Sequence, residues 1–291
     1  MRTLGLASAS ALLLIAASAL ASPNDVSLNN LVLRNADGTL KTNPSTGLVE
    51  GDQVAFKALT TELGEVFAPR PLQPAETPGH AGFDVGVDYT LHFINSQNDY
   101  WARSTERGLN GQTMPPVFQT LGVRARKGLP FSLEVGAGGQ YLFESHMFAV
   151  GADAKWSLNE GFIWFPDVAL LFSVNRLIGN EQIDLTMGAV GAEISKTFGL
   201  FGMMRVCPYA GYNYVMINAA SAVIDPDQSS SDDIGGNFTF DQVYFFGNGY
   251  HRAFAGLLLG SFIFDLSVEG DFNFAGAQAV HQLGFKLSLD F

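Results

Sequence analysis

The sequence is short of several things that most folded chains use. It has one cysteine, Cys207, so no intramolecular disulfide can frame the fold. Charged residues make up 15% of the chain, which is low for a soluble protein. The net charge of −12 offers no basic surface to neutralise phosphates, which argues against a nucleic-acid binder. After residue 21 no stretch approaches the roughly 20 consecutive apolar residues that a transmembrane helix needs. Catalytic signatures are missing as well: there is no G-x-S-x-G, no H-E-x-x-H and no P-loop. His92, His146, His251 and His281 lie on separate segments without ligand spacing, so they read as polar rim residues and no metal or cofactor is expected.

What the chain has instead is glycine, phenylalanine and alternation. Gly numbers 32 and Phe 24. A strand turns successive side chains to opposite faces. From Gly82 onward Phe83, Val85, Val87, Tyr89, Leu91 and Phe93 alternate with Asp84, Gly86, Asp88, Thr90 and His92. The same alternation recurs over 131–141, 148–156 and 262–274. The aromatics sit at the ends of these runs: Phe83 and Phe93, Phe131 and Tyr141, Phe264 and Phe274 are each ten residues apart. Ten tilted residues span roughly 25 Å along a membrane normal, the height of a lipid-facing band with an aromatic girdle at each interface.

This pattern predicts an all-β fold: a transmembrane antiparallel up-and-down β-barrel over residues 81–291, with ten strands, or twelve if residues 22–80 add a pair. The apolar parity slips between Ala189 and Val190, which predicts a β-bulge, and Pro208 marks a second irregular point. Around residues 250–260, Ala253, Ala255, Leu257 and Leu259 share one side, but Arg252, Phe254 and Leu258 share the other, so the facing stays open. The long connections, Asn95 to Met114 and Ala219 to Gly249, fall at one end of the barrel, and short turns fall at the other.

The last segment adds an address. Gln282, Gly284, Leu287 and Leu289, closing on Phe291, read polar-x-Gly-x-x-hydrophobic-x-hydrophobic with a final Phe. That ending resembles the assembly signal of Gram-negative outer-membrane β-barrels. The resemblance implies an integral outer-membrane protein whose partners are outer-membrane lipid and the barrel assembly machinery. It implies both chain ends in the periplasm and the long connections outside. It indicates no subfamily.

Residues 1–21 read as a secretory signal, with Arg2 at its start, an apolar core around Leu12 to Ile15 and Ala19-Leu20-Ala21 as the cleavage site. Residues 22–80 form a periplasmic lead segment. Phe56, Leu59, Leu63 and Phe67 recur at helical spacing behind Asp52 as N-cap, predicting a short helix over Gln53 to Phe67. Pro69, Pro71, Pro74 and Pro78 then forbid regular structure. The helix either plugs or braces the barrel from its periplasmic end, docks loosely, or belongs to an additional strand pair.

Inward positions near the periplasmic end carry both signs of charge: Asp84, Asp88, Arg124, Arg126, Glu134, Asp265 and Lys286. A structural salt-bridge network and an ion-selective constriction both fit them. The expected function is a narrow channel or passive transporter for small solutes. The alternative is a non-conducting structural or surface-interaction barrel displaying its long loops. An enzyme is not expected, since the Asp-Asp and Asp-His pairs of the outer-membrane proteases, which this chain resembles in strand number, have no counterpart here. Cys207 falls on an inward position as a small buried residue. The acidic run Asp225, Asp227, Asp232 and Asp233 reads as a solvated loop, lacking the ordered spacing of a calcium loop.

Overall fold

The alternating segments close on one another. In the computed structural model, which describes residues 22–162, 164–226 and 237–291, the strands are β1 (Phe83–Phe93), β2 (Val117–Leu129), β3 (Leu133–Leu142), β4 (Phe148–Ser157), β5 (Asp167–Ile178), β6 (Ile183–Ser195), β7 (Phe198–Leu200), β8 (Met204–Ser221), β9 (Gly249–Ser261), β10 (Phe264–Asn273) and β11 (His281–Asp290). All neighbours are antiparallel; β1 pairs with β11, and β6 pairs with β8. The three-residue β7 only extends the turn between those two, pairing with β8 alone. The result is a closed barrel of ten strands with no open edge. In lipid, where nothing else can satisfy backbone N–H and C=O groups, such closure is obligatory.

The barrel exterior is apolar. Val87, Val123, Phe172, Val174, Leu266 and Leu287 all project outward and are exposed. A soluble protein does not show so continuous an apolar girth, which is far beyond the few hundred Å² typical of a monomer's largest patch. The chain is an integral outer-membrane β-barrel. The signal expected over residues 1–21 and the acidic run from Asp227 to Asp233 lie outside the described residues.

Three expectations about the wall need correction. No bulge interrupts β6: its register to β5 and β8 runs unbroken through Ala189 and Val190. The parity slips in the sequence because the upper lumen is apolar, so Ile183, Leu185, Met187 and Ala189 point inward and are buried. Pro208 likewise sits in continuous register opposite Leu257, its carbonyl accepting from the Lys196 N–H. Phe131 and Phe262, read as strand residues, stand instead in turns before β3 and β10. For β9 the open question closes: Arg252, Phe254 and Leu258 face inward, the latter two packing on Leu171, Cys207 and Tyr209.

The lead segment adds no strand pair to the wall; among the described residues it makes only isolated bridges such as Val32 to Gly51 and Thr42 to Val49. Its helix α1 (Gln53–Val66) starts where Asp52 caps it, the carboxylate accepting from the Ala55 N–H at 3.0 Å. However, α1 does not brace the end that holds Phe291. It lies at the opposite end, with the long connections. The reason is where its apolar stripe finds cover. Phe56, Leu59 and Leu63 are fully buried in one cluster with Leu28, Leu31, Trp101, Phe240 and the inward tops of the wall strands, among them Leu185 and Ile217. Burying those three side chains contributes about 5 to 9 kcal/mol at most. Phe56 stacks on Phe240 with centroids 4.4 Å apart. Residues 22–66, with the connections around Trp101 and Phe240, therefore form a cap over the loop end.

Candidate functional site

Between the cap and the short-turn end, the chain passes through its own barrel. Every residue from Leu59 to Ala75 is buried. The prolines explain how a non-periodic strand of chain survives there. Inside a lumen each backbone N–H needs an acceptor, and proline has none to satisfy. Pro69, Pro71 and Pro74 leave mainly carbonyls, and the wall supplies donors for them. Gln282 donates to the Glu65 carbonyl at 2.8 Å and Asn175 to that of Phe67 at 2.8 Å. Arg252 donates to Pro69 at 2.5 Å and Arg126 to Pro71 at 2.6 Å. Lys155 donates to the Pro74 and Glu76 carbonyls at 2.9 and 2.8 Å. Two of the remaining N–H groups find a carboxylate and a hydroxyl: Leu72 donates to Glu269 at 3.1 Å and Ala75 to Ser195 at 3.2 Å.

The charges expected in the lumen are there, but they are organised around this segment. Lys286 meets Asp84 at 2.6 Å. Arg126 lies within 3.8 Å of Asp84, 3.5 Å of Glu134 and 3.4 Å of Asp153, and also donates to Gln73 of the threaded segment. Arg124 pairs with Asp153. Asp88 lies within ion-pair distance of Arg70, at 3.9 Å. Asp265 is held by Arg205 at 2.6 Å and not by Lys286. Asp153, Lys155 and Arg252 were visible on strand faces but their part in the network was not, and Arg70, Gln73 and Arg205 went unseen. Arg70 and Gln73 carry no periodic signal among prolines. Arg252 could have been found as an inward cation with no acid opposite it in register, and Lys155 as the cation directly opposite Glu134, which it meets at 3.1 Å.

The residues of the terminal motif divide by face. Gln282 is buried and bonds the plug, while Leu287, Leu289 and Phe291 point outward. Gly284 faces the threaded chain: a Cβ there lies 2.7 Å from Arg70 Nη1 and 2.8 Å from Leu72 Cδ2. Closing the seam, Phe83 and Phe291 exchange backbone hydrogen bonds at 2.7 and 2.9 Å.

The four histidines do lie near the loop end, on separate partners. His92 is buried against Thr120, His146 bonds Asp25, His251 stacks on Tyr212 and Tyr214, and His281 accepts from the Asn273 N–H. Among the described residues no group of His, Cys, Asp and Glu converges as metal ligands do.

Two cavities lie along the lumen. At the short-turn end a polar cavity of about 330 Å³ is lined by Arg205, Lys286, Asp265 and Asp290 and stops at Gln73 and Pro74. A second cavity, beside Pro69 to Gln73, amounts to about 20 Å³. That is room for roughly one water.

At the cap, two carboxylates are buried under the rim. Glu62 accepts from Asn98 Nδ2 at 3.1 Å and from the Trp101 indole. Its burial, partly offset by bonds with Tyr100, Trp101 and Asn98, pushes its pKa up to about 7. Glu65 accepts from the Val280 N–H at 2.6 Å and from Asn273, and burial raises it well above the ordinary carboxylate range.

No family model and no curated protein matches the chain. Its structure is similar to Gram-negative outer-membrane β-barrels. The translocator domain of the autotransporter NalP from Neisseria meningitidis aligns at 10% identity over 73% of this chain and 90% of that one, with a TM-score of 0.36. The outer membrane protease OmpT from Escherichia coli aligns at 9% identity over 75% and 98%, with a TM-score of 0.34. Ail, the attachment invasion locus protein of Yersinia pestis, aligns at 8% identity over 73% and 99%, with a TM-score of 0.28. A translocator, a protease and an attachment protein share no task, so the specific role rests on this chain's own geometry.

Proposed function

We propose that this is a non-conducting, internally plugged outer-membrane barrel that holds its lead segment as a surface-interaction cap over the loop end, and that it is not an enzyme. The observation that carries the reading is the threaded segment from Phe67 to Ala75, which is buried throughout and whose Pro69, Pro71 and Pro74 carbonyls are bonded to wall cations. Of the cations that a sequence reading assigns to a selectivity filter, Arg126 holds the plug, while Arg124 and Lys286 are paired with Asp153 and Asp84 of the wall.

The measurement is conductance in planar bilayers. Wild-type protein, shown to be folded by heat-modifiable gel migration, gives no discrete steps, whereas a variant lacking residues 22–80 conducts. Steady single-channel steps from the wild type overturn the proposal. They favour a second reading, a gated channel for small solutes, whose support is the 330 Å³ charged cavity at the short-turn end.

A further inference from the structure

The first residues after the predicted cleavage site are stitched into the loop end one by one. The Pro23 carbonyl accepts from the Arg107 N–H at 2.8 Å. The Asn24 N–H donates to the Glu144 carbonyl at 2.8 Å, and the Asn24 side chain to that of Phe143 at 3.0 Å. The Asp25 carbonyl accepts from the Glu106 N–H at 3.2 Å, and the Ser27 N–H donates to Ser104 at 2.7 Å. The β1–β2 and β3–β4 connections therefore grip the lead segment at its very start.

Ser22 itself closes a small ring with Asp25. The Asp25 N–H donates to the Ser22 carbonyl at 2.9 Å, and the Ser22 nitrogen donates back to Asp25 Oδ2 at 2.8 Å. The same carboxylate accepts from the His146 N–H at 2.6 Å and meets His146 Nδ1 at 2.5 Å. Two backbone nitrogens and an imidazole ring thus converge on one carboxylate, whose side chain is 20% exposed. Its ion-pair partner among the described residues is His146, a ring that is charged only when protonated. Arg107, close by in the same seat, is engaged with Glu144 at 2.5 Å. Asp25 is therefore short of a permanent cation.

We propose that the missing cation is the α-ammonium of Ser22, created when a signal protease removes residues 1–21, so that processing itself completes the fastening of the cap. The cut falls after Ala19-Leu20-Ala21. Hydrolysis breaks the C–N bond between Ala21 and Ser22. The oxygen of water ends in the Ala21 carboxylate, and its two protons end on the Ser22 nitrogen. An amide with one hydrogen to donate becomes an ammonium with three, charged at neutral pH. The donor already stands 2.8 Å from Asp25 Oδ2, and a charge-assisted bond is roughly twice as strong as a neutral one. Because the pair is partly exposed, its strength is that of a surface ion pair. It therefore fixes the end of the cap without bearing on the threaded segment. The inference rests on the geometry of the cap and stands whether or not the barrel conducts.

The test compares chains that begin at Ser22 with a free amine and the same chains acetylated at that nitrogen. Acetylation removes the charge but keeps the N–H and every side chain. Both forms are refolded in detergent, checked by heat-modifiable gel migration, and followed by hydrogen exchange in the peptide covering residues 22–31. Acetylation is expected to speed exchange there about two- to fivefold, the range of a partly exposed ion pair, while residues 67–75 are unchanged. Asp25→Asn speeds it at least as much in the free-amine chain, and acetylating the Asp25→Asn chain adds nothing further. Equal exchange in the acetylated and free chains overturns the proposal. So does an acetylation effect that is as large in Asp25→Asn as in the wild type. N-terminal sequencing of protein recovered from outer membranes is the second measurement. A chain starting at Ser22 is expected, and a start at any other residue overturns the assignment.

Discussion

Arg126 is the residue on which the most lumen contacts converge. It is 1% exposed at its side chain, reaches Asp84, Glu134 and Asp153, and bonds both Gln73 and the Pro71 carbonyl. A buried ion pair adds little net stability compared with an apolar replacement of the whole group, but removing one partner leaves the others unpaired in a poor solvent for charge. Arg126→Met leaves three carboxylates short of a cation and two acceptors of the threaded chain without their donor. The expected cost is about 3 to 5 kcal/mol, read as a lower temperature for the heat-modifiable shift on gels. Lys127→Met, one residue away on the outer face, leaves that temperature unchanged. Equal effects from both substitutions contradict the view that the inward network holds the plug. The charges Asp84, Arg126, Glu134 and Lys286 were legible from the two-residue period alone, because parity fixes the face. Their partners were not, because a pairing partner in a lumen is set by the filling as much as by the wall.

At the scale of elements, the strands were readable and the lead segment was readable only in part. The wall strands carry alternation over ten residues or more, and one face must meet lipid, so the pattern is enforced at each position. The same rule misled at β6, where inward Leu185, Met187 and Ala189 are apolar because α1 and the cap cover them. Helix α1 announced itself through Phe56, Leu59 and Leu63, but nothing local says which end of the barrel receives it. That information lies in Trp101, Phe240 and Ile217, far away in sequence. Docking of α1 also carries a pH dependence. Glu62 faces Tyr100, Trp101, Asn98 and Glu65, and its pKa when docked is about 7 against an ordinary 4.5. A carboxyl raised in this way favours docking fully below its ordinary pKa, and the contribution is lost as pH rises through 7, at most roughly 3 kcal/mol. The cap is therefore expected to loosen between pH 5 and pH 8. Protease cleavage in the exposed stretch Asn43 to Leu48 should quicken over that range, and Glu62→Gln should flatten the dependence. Cleavage that speeds up equally in the Gln variant assigns the effect to another group.

For the whole molecule, the decisive feature is that the chain enters its lumen at one end and folds up at the other. Residues 77–82 stand at the short-turn end, where Thr77 bonds Glu160 and Gly82 accepts from the Gly128 N–H. Residues 22–66 stand at the loop end, where Asn24 bonds Glu144 and Phe143, and Leu28 bonds Gln182. The cap is wider than the passage it sits on, since it shares one core with four loop connections and the rims of β2, β3, β4, β5, β6, β8 and β9. An outer-membrane barrel with short turns inside and long loops outside then carries its lead segment on the outer face, joined to the wall only through its own lumen. Ser45 lies at the exposed tip of that segment, and Cys207, the one native thiol, is buried. In intact cells Ser45→Cys should react with a membrane-impermeant maleimide as readily as after permeabilisation, and the wild type should stay unlabelled. The reverse substitution site is Gly202 at the opposite turn, where Gly202→Cys should label only once the membrane is opened. If the two sites exchange behaviour, the barrel is oriented with its cap inward, and the surface role proposed for residues 22–66 fails while the threaded geometry stands.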